Sequence, residues 1–261
     1  MAGLLVGLIA GSLGGLVGVG GGVIIIPLMT ETLKFRQHEA HGTSLVAVVF
    51  TGVAGSVIYY IHGSVDLAAA ALLAGMALIT VRLGAKYCCF LPELTLKRYF
   101  GFFLLFVAVL FILKPFMPNI TDGSSPAWIR WIVLIILGIL TGFISGIMGV
   151  GGGSFMIPMM VLFAGIAQHT AQGISLLAMI PASTVWAWTH WQEGNIRTSS
   201  LPGLVAGVLA GVYVGGSFAH LIPDRELRLL YTALLLYTSL RYLRTKPLPA
   251  AVCTKNDGGG K

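Results

Sequence analysis

Residues 18–27 read GVGGGVIIIP and residues 149–158 read GVGGGSFMIP, two near-copies of one decapeptide 131 residues apart. A recurrence of this kind is the mark of an internal duplication. The same offset lays QHEAHGTSL at 37–45 on QHTAQGISL at 168–176, so the pattern Q-H-x-A-x-G-x-S-L stands twice. It holds again at Gly63 and Gly194 and at Pro92 and Pro223. The expected organisation is a first repeat over 1–117, a polar linker over 118–125, a second repeat over 126–246 and a polar tail over 247–261.

The repeat is built of apolar sequence. Of the 261 residues, 56% are apolar and 10% charged, where a soluble domain carries about a quarter charged residues. Such a chain has too few charges to face water all round, and lipid is the solvent that tolerates this. The fold class expected is an all-α polytopic membrane protein in the plasma or inner membrane. The N-terminal stretch has no basic region and runs straight into the first glycine motif, so it reads as part of the fold and not as a leader.

The formal charge of +7 comes from sixteen Lys and Arg scattered through short connections. With no basic run and no aromatic platform among them, nucleic acid is not an expected partner. Cytoplasmic loops rich in Lys and Arg account for the charge. Cys88 and Cys89 are adjacent and Cys253 lies in the tail, a pattern that reads as reduced thiols.

About eight apolar segments follow in a 4+4 arrangement: 3–33, 43–61, 66–91 and 96–116, then 128–164, 172–191, 201–222 and 227–243. Roughly 20 residues cross the hydrocarbon core, so the first segment of each half is too long for one span. Four of the five residues at 18–22 and at 149–153 are glycine, each costing ~1 kcal/mol in a helix interior. The segment therefore breaks there, either as a discontinuous crossing or as a re-entrant hairpin. If all eight segments cross, the sixteen Lys and Arg divide evenly between the two sides, whereas two hairpins give a split of twelve to four. The positive-inside rule favours hairpins. Each half then crosses three times, which inverts one relative to the other and places both termini in the cytoplasm.

Non-helical backbone at membrane depth must line protein or a wet cavity. The breaks at Gly18, Gly20, Gly21, Gly22 and at Gly149, Gly151, Gly152, Gly153 open short helices whose first-turn N–H groups are free. Backbone donors and the helix dipole favour an anion there. The plainer alternative is close helix packing on small residues. Gln37, His38 and Ser44, with Gln168, His169 and Ser175, bring amide, imidazole and hydroxyl groups next to the breaks, suited to an oxyanion or a coupled proton. Helix capping and hydroxyls bonded to their own carbonyls are the competing roles. His41 has Gln172 as its counterpart and is a weaker candidate. Thr43, Thr51, Thr141, Ser145, Ser154, Ser183 and Thr184 could line a polar path. Trp186, Trp188 and Trp191 read as an interfacial belt, with Trp186 deep enough to reach a ligand. No acidic residue lies in the middle of an apolar segment, which speaks for an anion over a cation.

These residues resemble the TauE/SafE sulfite exporter family, also described as toluene-sulfonate uptake permeases. The resemblance rests on Gly11, Gly15, Gly18, Gly20, Gly21, Gly22, Pro27 and Leu28, on the second glycine motif from Gly149, and on A-x-G-x-S-L in both halves. It implies a secondary carrier of small sulfur-containing anions such as sulfite, sulfoacetate or other organosulfonates, working outward, with protons as a coupling ion. A homodimer is an assembly open to it, and no cofactor is expected. A nickel or cobalt permease is the alternative, suggested by the six histidines. A membrane-embedded enzyme would need an acid–histidine constellation within the apolar segments, and none stands there.

Overall fold

The computed structural model describes residues 2–35, 37–88, 93–113, 127–148, 152–192 and 194–244. The described residues form ten α-helices and one 3-10 turn, at Thr198–Ser200. In the first half these are α1 (Ala2–Val17), α2 (Gly22–Thr32), α3 (Gln37–Ile61), α4 (Leu67–Cys88) and α5 (Glu93–Leu113). In the second they are α6 (Ala127–Met148), α7 (Gly153–Phe163), α8 (Gln168–Gln192), α9 (Leu201–Ala219) and α10 (Asp224–Arg244). Glu39–Ile61, Trp128–Ser145 and Thr198–Ala219 are long and apolar enough to cross a membrane. Leu5, Val57, Ile79, Phe106, Ile136 and Val214 point outward from six helices. So broad an apolar exterior suits lipid and not water. The chain is an all-α polytopic membrane protein.

The elements recur at the 131-residue offset down to single bonds. Helices α2 and α7 are each 11 residues long. Both follow a left-handed glycine, Gly21 at φ 74° and Gly152 at φ 71°. Both end alike, Leu33 N–H on Met29 O in one copy and Ala164 N–H on Met160 O in the other. Lys34, at φ 50°, occupies the left-handed position that Gly165 fills in the second half.

Each glycine-broken segment is a hairpin. A Cβ on Gly21 would lie 3.0 Å from Ala10 O, and one on Gly14 2.8 Å from Gly21 N. Helix α2 therefore starts halfway down α1 and runs back along it, with Ile25 and Met29 in the cluster that holds Val6 and Ala10. In the second copy a Cβ on Gly152 would lie 2.8 Å from Thr141 Cγ2, at the equivalent level of α6.

The halves are inverted and interlocked. Helix α3 runs antiparallel to α8, since Gly42 meets His190 and Asn195 while Gly52 meets Leu176 and Ile180. Helix α5 runs antiparallel to α10, where Ser239 Oγ donates to Gly101 O at 2.8 Å. In contrast, α1 lies parallel to α9 of the other half, and α6 parallel to α4. The α1–α9 seam is glycine on both sides. A Cβ at Gly7 would sit 2.3 Å from Leu204 O, at Gly207 2.2 Å from Leu4 O, and at Gly215 2.0 Å from Ser12 O. Only small residues permit backbones so close. The equivalent seam has Gly142 against Ala77 O, at 2.3 Å. Neither repeat is thus a separately packed body. The linker 118–125 and the tail 247–261 lie outside the described residues.

Candidate functional site

The two hairpin tips meet at Met179 of α8. A Cβ on Gly20 would lie 2.5 Å from Met179 Sδ, and one on Gly153 2.7 Å from Met179 Cε and 3.2 Å from the Cα of Val19. Gly18 and Gly20 have φ of 75° and 79°, conformations that cost an L-residue ~1–2 kcal/mol. The tip of the first hairpin is therefore fixed as glycine twice over, by torsion and by contact. Neither α2 nor α7 has a side-chain cap at its start; Ile24 N–H and Phe155 N–H bond Gly21 O and Gly152 O, and the N–H groups ahead of them point towards the space between the tips.

A polar face accompanies the tips. Gln168, Gln172, Ser175, Met179 and Ser183 fall on one stripe of α8, at the spacing that puts helical side chains above one another. All are buried, Gln172 and Ser175 completely. Both polar atoms of Gln168, Nε2 of Gln172, Oγ of Ser175 and Oγ of Ser183 have no hydrogen-bond partner. Thr141 Oγ1, beside Gly152, is also buried and unpartnered. Each such group costs about 1–3 kcal/mol if nothing satisfies it. Ser175 Oγ lies 3.1 Å from where a Gly153 Cβ would be, and the Gln172 side chain packs against Gly18. Of the unpartnered groups, those of Gln172, Ser175 and Thr141 thus lie beside the glycine tips, while Gln168 and Ser183 stand about 22 Å apart towards the two ends of the stripe at the helical rise.

Two fully buried tyrosines hold the tips. The Tyr59 hydroxyl is 3.0 Å from Gly15 O and 2.9 Å from Gln172 Oε1, acceptors that share its proton. The Tyr231 hydroxyl lies 3.4 Å from Gly153 O and 3.2 Å from Ser154 O. Each fastens the end of one hairpin arm to a helix outside that hairpin.

The residues singled out in the sequence divide as follows. Gly18, Gly20, Gly21, Gly22, Gly152, Gly153, Gln168 and Ser175 lie at the tips or on the stripe. Gly149 and Gly151 are outside the described residues, as are the side chains of Gln37 and His38. Ser44 is buried, and its hydroxyl donates to His41 O at 2.8 Å within its own helix. His169 is turned away from the tips: Nδ1 faces Asp224 Oδ1 at 2.5 Å and Nε2 faces Ala219 O at 3.0 Å. Trp186 stacks on His190, ring centroids 6.3 Å apart. It stands about 16 Å along α8 from Ser175 at the helical rise. Thr51 and Thr184 bond the carbonyls of Ala47 and Ile180 in their own helices, and Thr43 accepts from Arg197 N–H.

Sequence reasoning passed over Gln172, Tyr59, Tyr231 and Met179. The offset directed attention to positions alike in both halves, and these four differ: Gln172 stands opposite His41, Met179 opposite Val48, Tyr59 opposite His190 and Tyr231 opposite Phe100. The available signal was the polar spacing along α8 itself.

Residues 3–242 match the family model described as Sulfite exporter TauE/SafE. A probable membrane transporter protein YdhB of Bacillus subtilis is 28% identical over 86% of this chain and 92% of its own length. YunE, also a probable membrane transporter protein of Bacillus subtilis, is 26% identical over 82% of this chain and 86% of its own. A probable membrane transporter protein of Haemophilus influenzae is 25% identical over 97% and 88%. No solved structure matches the chain. Two inverted hairpins meeting at a buried polar face are a transporter's architecture, and the match spans both: this multi-pass membrane protein belongs to the sulfite exporter TauE/SafE family and is a transporter, not an enzyme.

Proposed function

We propose that the protein is a secondary carrier of small oxyanions, sulfite, sulfoacetate and other organosulfonates first among them, and that it moves them outward. The carrying observation is the convergence of two uncapped helix starts on buried, unpartnered Ser175 Oγ, Gln172 Nε2 and Thr141 Oγ1. Hydroxyls, an amide and backbone N–H groups are donors to oxygen, and no carboxylate lies among them to repel negative charge. Among the described residues, acids lie only near helix ends: Asp66 pairs with Arg130 and Asp224 with His169. The family description supports the sulfur chemistry and the outward direction. The loop charges support an orientation with both termini in the cytoplasm.

Among the described residues no group of three His, Cys, Asp or Glu side chains is placed to hold a metal ion. The test is flux in proteoliposomes containing the purified protein, offered sulfite, sulfoacetate, thiosulfate and sulfate in turn. Saturable uptake of at least one, lost in Gly20→Leu, is expected. Absence of saturable flux for all four defeats the proposal.

A further inference from the structure

The polar face of α8 ends at a stack of three histidines. His62, just past α3, lies on His220, just past α9, with ring centroids 4.1 Å apart and planes 6° from parallel. His169, at the start of α8 next to Gln168, also stacks on His220, at 5.3 Å and 18°. The ring of Tyr59 packs against His220 at 4.6 Å, and its hydroxyl reaches Gln172. One side chain thus touches both the stack and the polar face.

Hydrogen bonds occupy two of the three rings. Both ring nitrogens of His169 face acceptors, Asp224 Oδ1 and Ala219 O. His62 Nδ1 lies 2.8 Å from Ile58 O. His220 Nε2 has no partner. The titratable and charged groups facing His220 are Tyr59 and His62 from α3, His169 from α8 and, behind His169, Asp224 of α10. Asp224 is the sole carboxylate in contact with the stack among the described residues, and it is spent on His169.

We propose that this stack is the carrier's proton-binding site, and that a proton taken up on His220 releases the anion by drawing Tyr59 away from Gln172. The inference rests on the anion-carrier reading given above. Burial first, then the neighbouring His62 and His169, hold the His220 imidazole down from 6.5 to about 4 in this packing. A group whose pKa is depressed in one arrangement favours, when protonated, an arrangement that exposes it. The stacked state is thus fully favoured above about pH 6.5 and loses ground as pH falls towards about 4. In the stacked state Tyr59 fixes the Gln172 amide with Nε2 free to donate. Once His220 leaves, Tyr59 loses its ring contact and Gln172 its orientation. An anion bound at neutral pH is then let go towards the acidic side.

The test uses the full chain in detergent and the sulfonate methanesulfonate, which stays ionised throughout the range. Affinity is expected to weaken about tenfold between pH 7.5 and 5.0 in the native sequence and to become nearly flat in His220→Gln. Thermal stability measured without any anion should fall over the same interval and flatten in the same variant. Imidazole NMR of the native protein kept saturated with methanesulfonate, which holds the stacked state and needs no variant to fold, should show one of its six histidines still neutral near pH 5. A stability step unchanged in His220→Gln, or six imidazoles that all titrate near neutrality, overturns the proton site. Anion affinity that is measurable but independent of pH overturns the coupling. A pH step that vanishes in His220→Gln, with no binding of any sulfur oxyanion at any pH, supports the proton site and overturns the anion-carrier reading.

Discussion

Along α8 the buried face reads Gln168, Gln172, Ser175, Met179 and Ser183, and at the same positions α3 carries Gln37, His41, Ser44, Val48 and Gly52. Ser175 Oγ is left without a partner, while Ser44 Oγ is bonded to its own helix. The glycine tips do not diverge this way: Gly21 and Gly152 take one conformation and start helices of equal length. Where backbone torsion makes the structure, both copies are held to glycine. The side chains beside the tips are under no such constraint, and there the two copies differ, with Val48 standing where the second half has Met179.

That contrast can be broken most sharply at the tip. Gly20→Leu puts a side chain into left-handed backbone and onto Met179, and transport should fall below detection while size-exclusion chromatography still shows a folded protein. Normal flux would mean that the tips only pack. Next, Ser175→Ala should weaken anion binding about ten- to hundredfold, the worth of a hydrogen bond to a charged ligand, whereas Ser44→Ala should change it less than about twofold. Equal losses in titration calorimetry would erase the distinction between the halves. Tyr59→Phe and Tyr231→Phe should each cost about 1 kcal/mol of stability, measured by chemical denaturation, yet only Tyr59→Phe should reduce affinity, through Gln172. The smallest effect is expected where the first half departs from the second in backbone alone. Lys34→Gly relieves a left-handed residue and should raise stability by up to ~1 kcal/mol, seen as a small rise in melting temperature.

The helical class and the glycine breaks were legible in the sequence because they follow from polarity and glycine content, which are local properties. The geometry of the breaks was left between a crossing and a hairpin, with loop charge favouring the hairpin. The α1–α9 seam was not legible, although Gly3, Gly7, Gly11 and Gly15 stand at regular spacing, because spacing names a surface without naming its partner. Among side chains, the offset singled out Gln168 and Ser175, whose polar atoms are unpartnered, together with Ser44, His169 and Trp186, whose groups bond or stack elsewhere. A hydroxyl with its own helix carbonyl in reach uses it, and the rotation of α8 turns His169 to Asp224. Neither fact is contained in residue type.

The parallel seam between α1 and α9 sets a condition on synthesis. Helix α1 enters the bilayer with its glycine face open and must wait for α9, about 200 residues later in the chain. At roughly 5–20 residues per second that is about ten to forty seconds. During that interval the nascent chain presents lipid, or the insertion machinery, with a groove made for another helix, so the hazard in making this protein lies in which helix reaches that groove first.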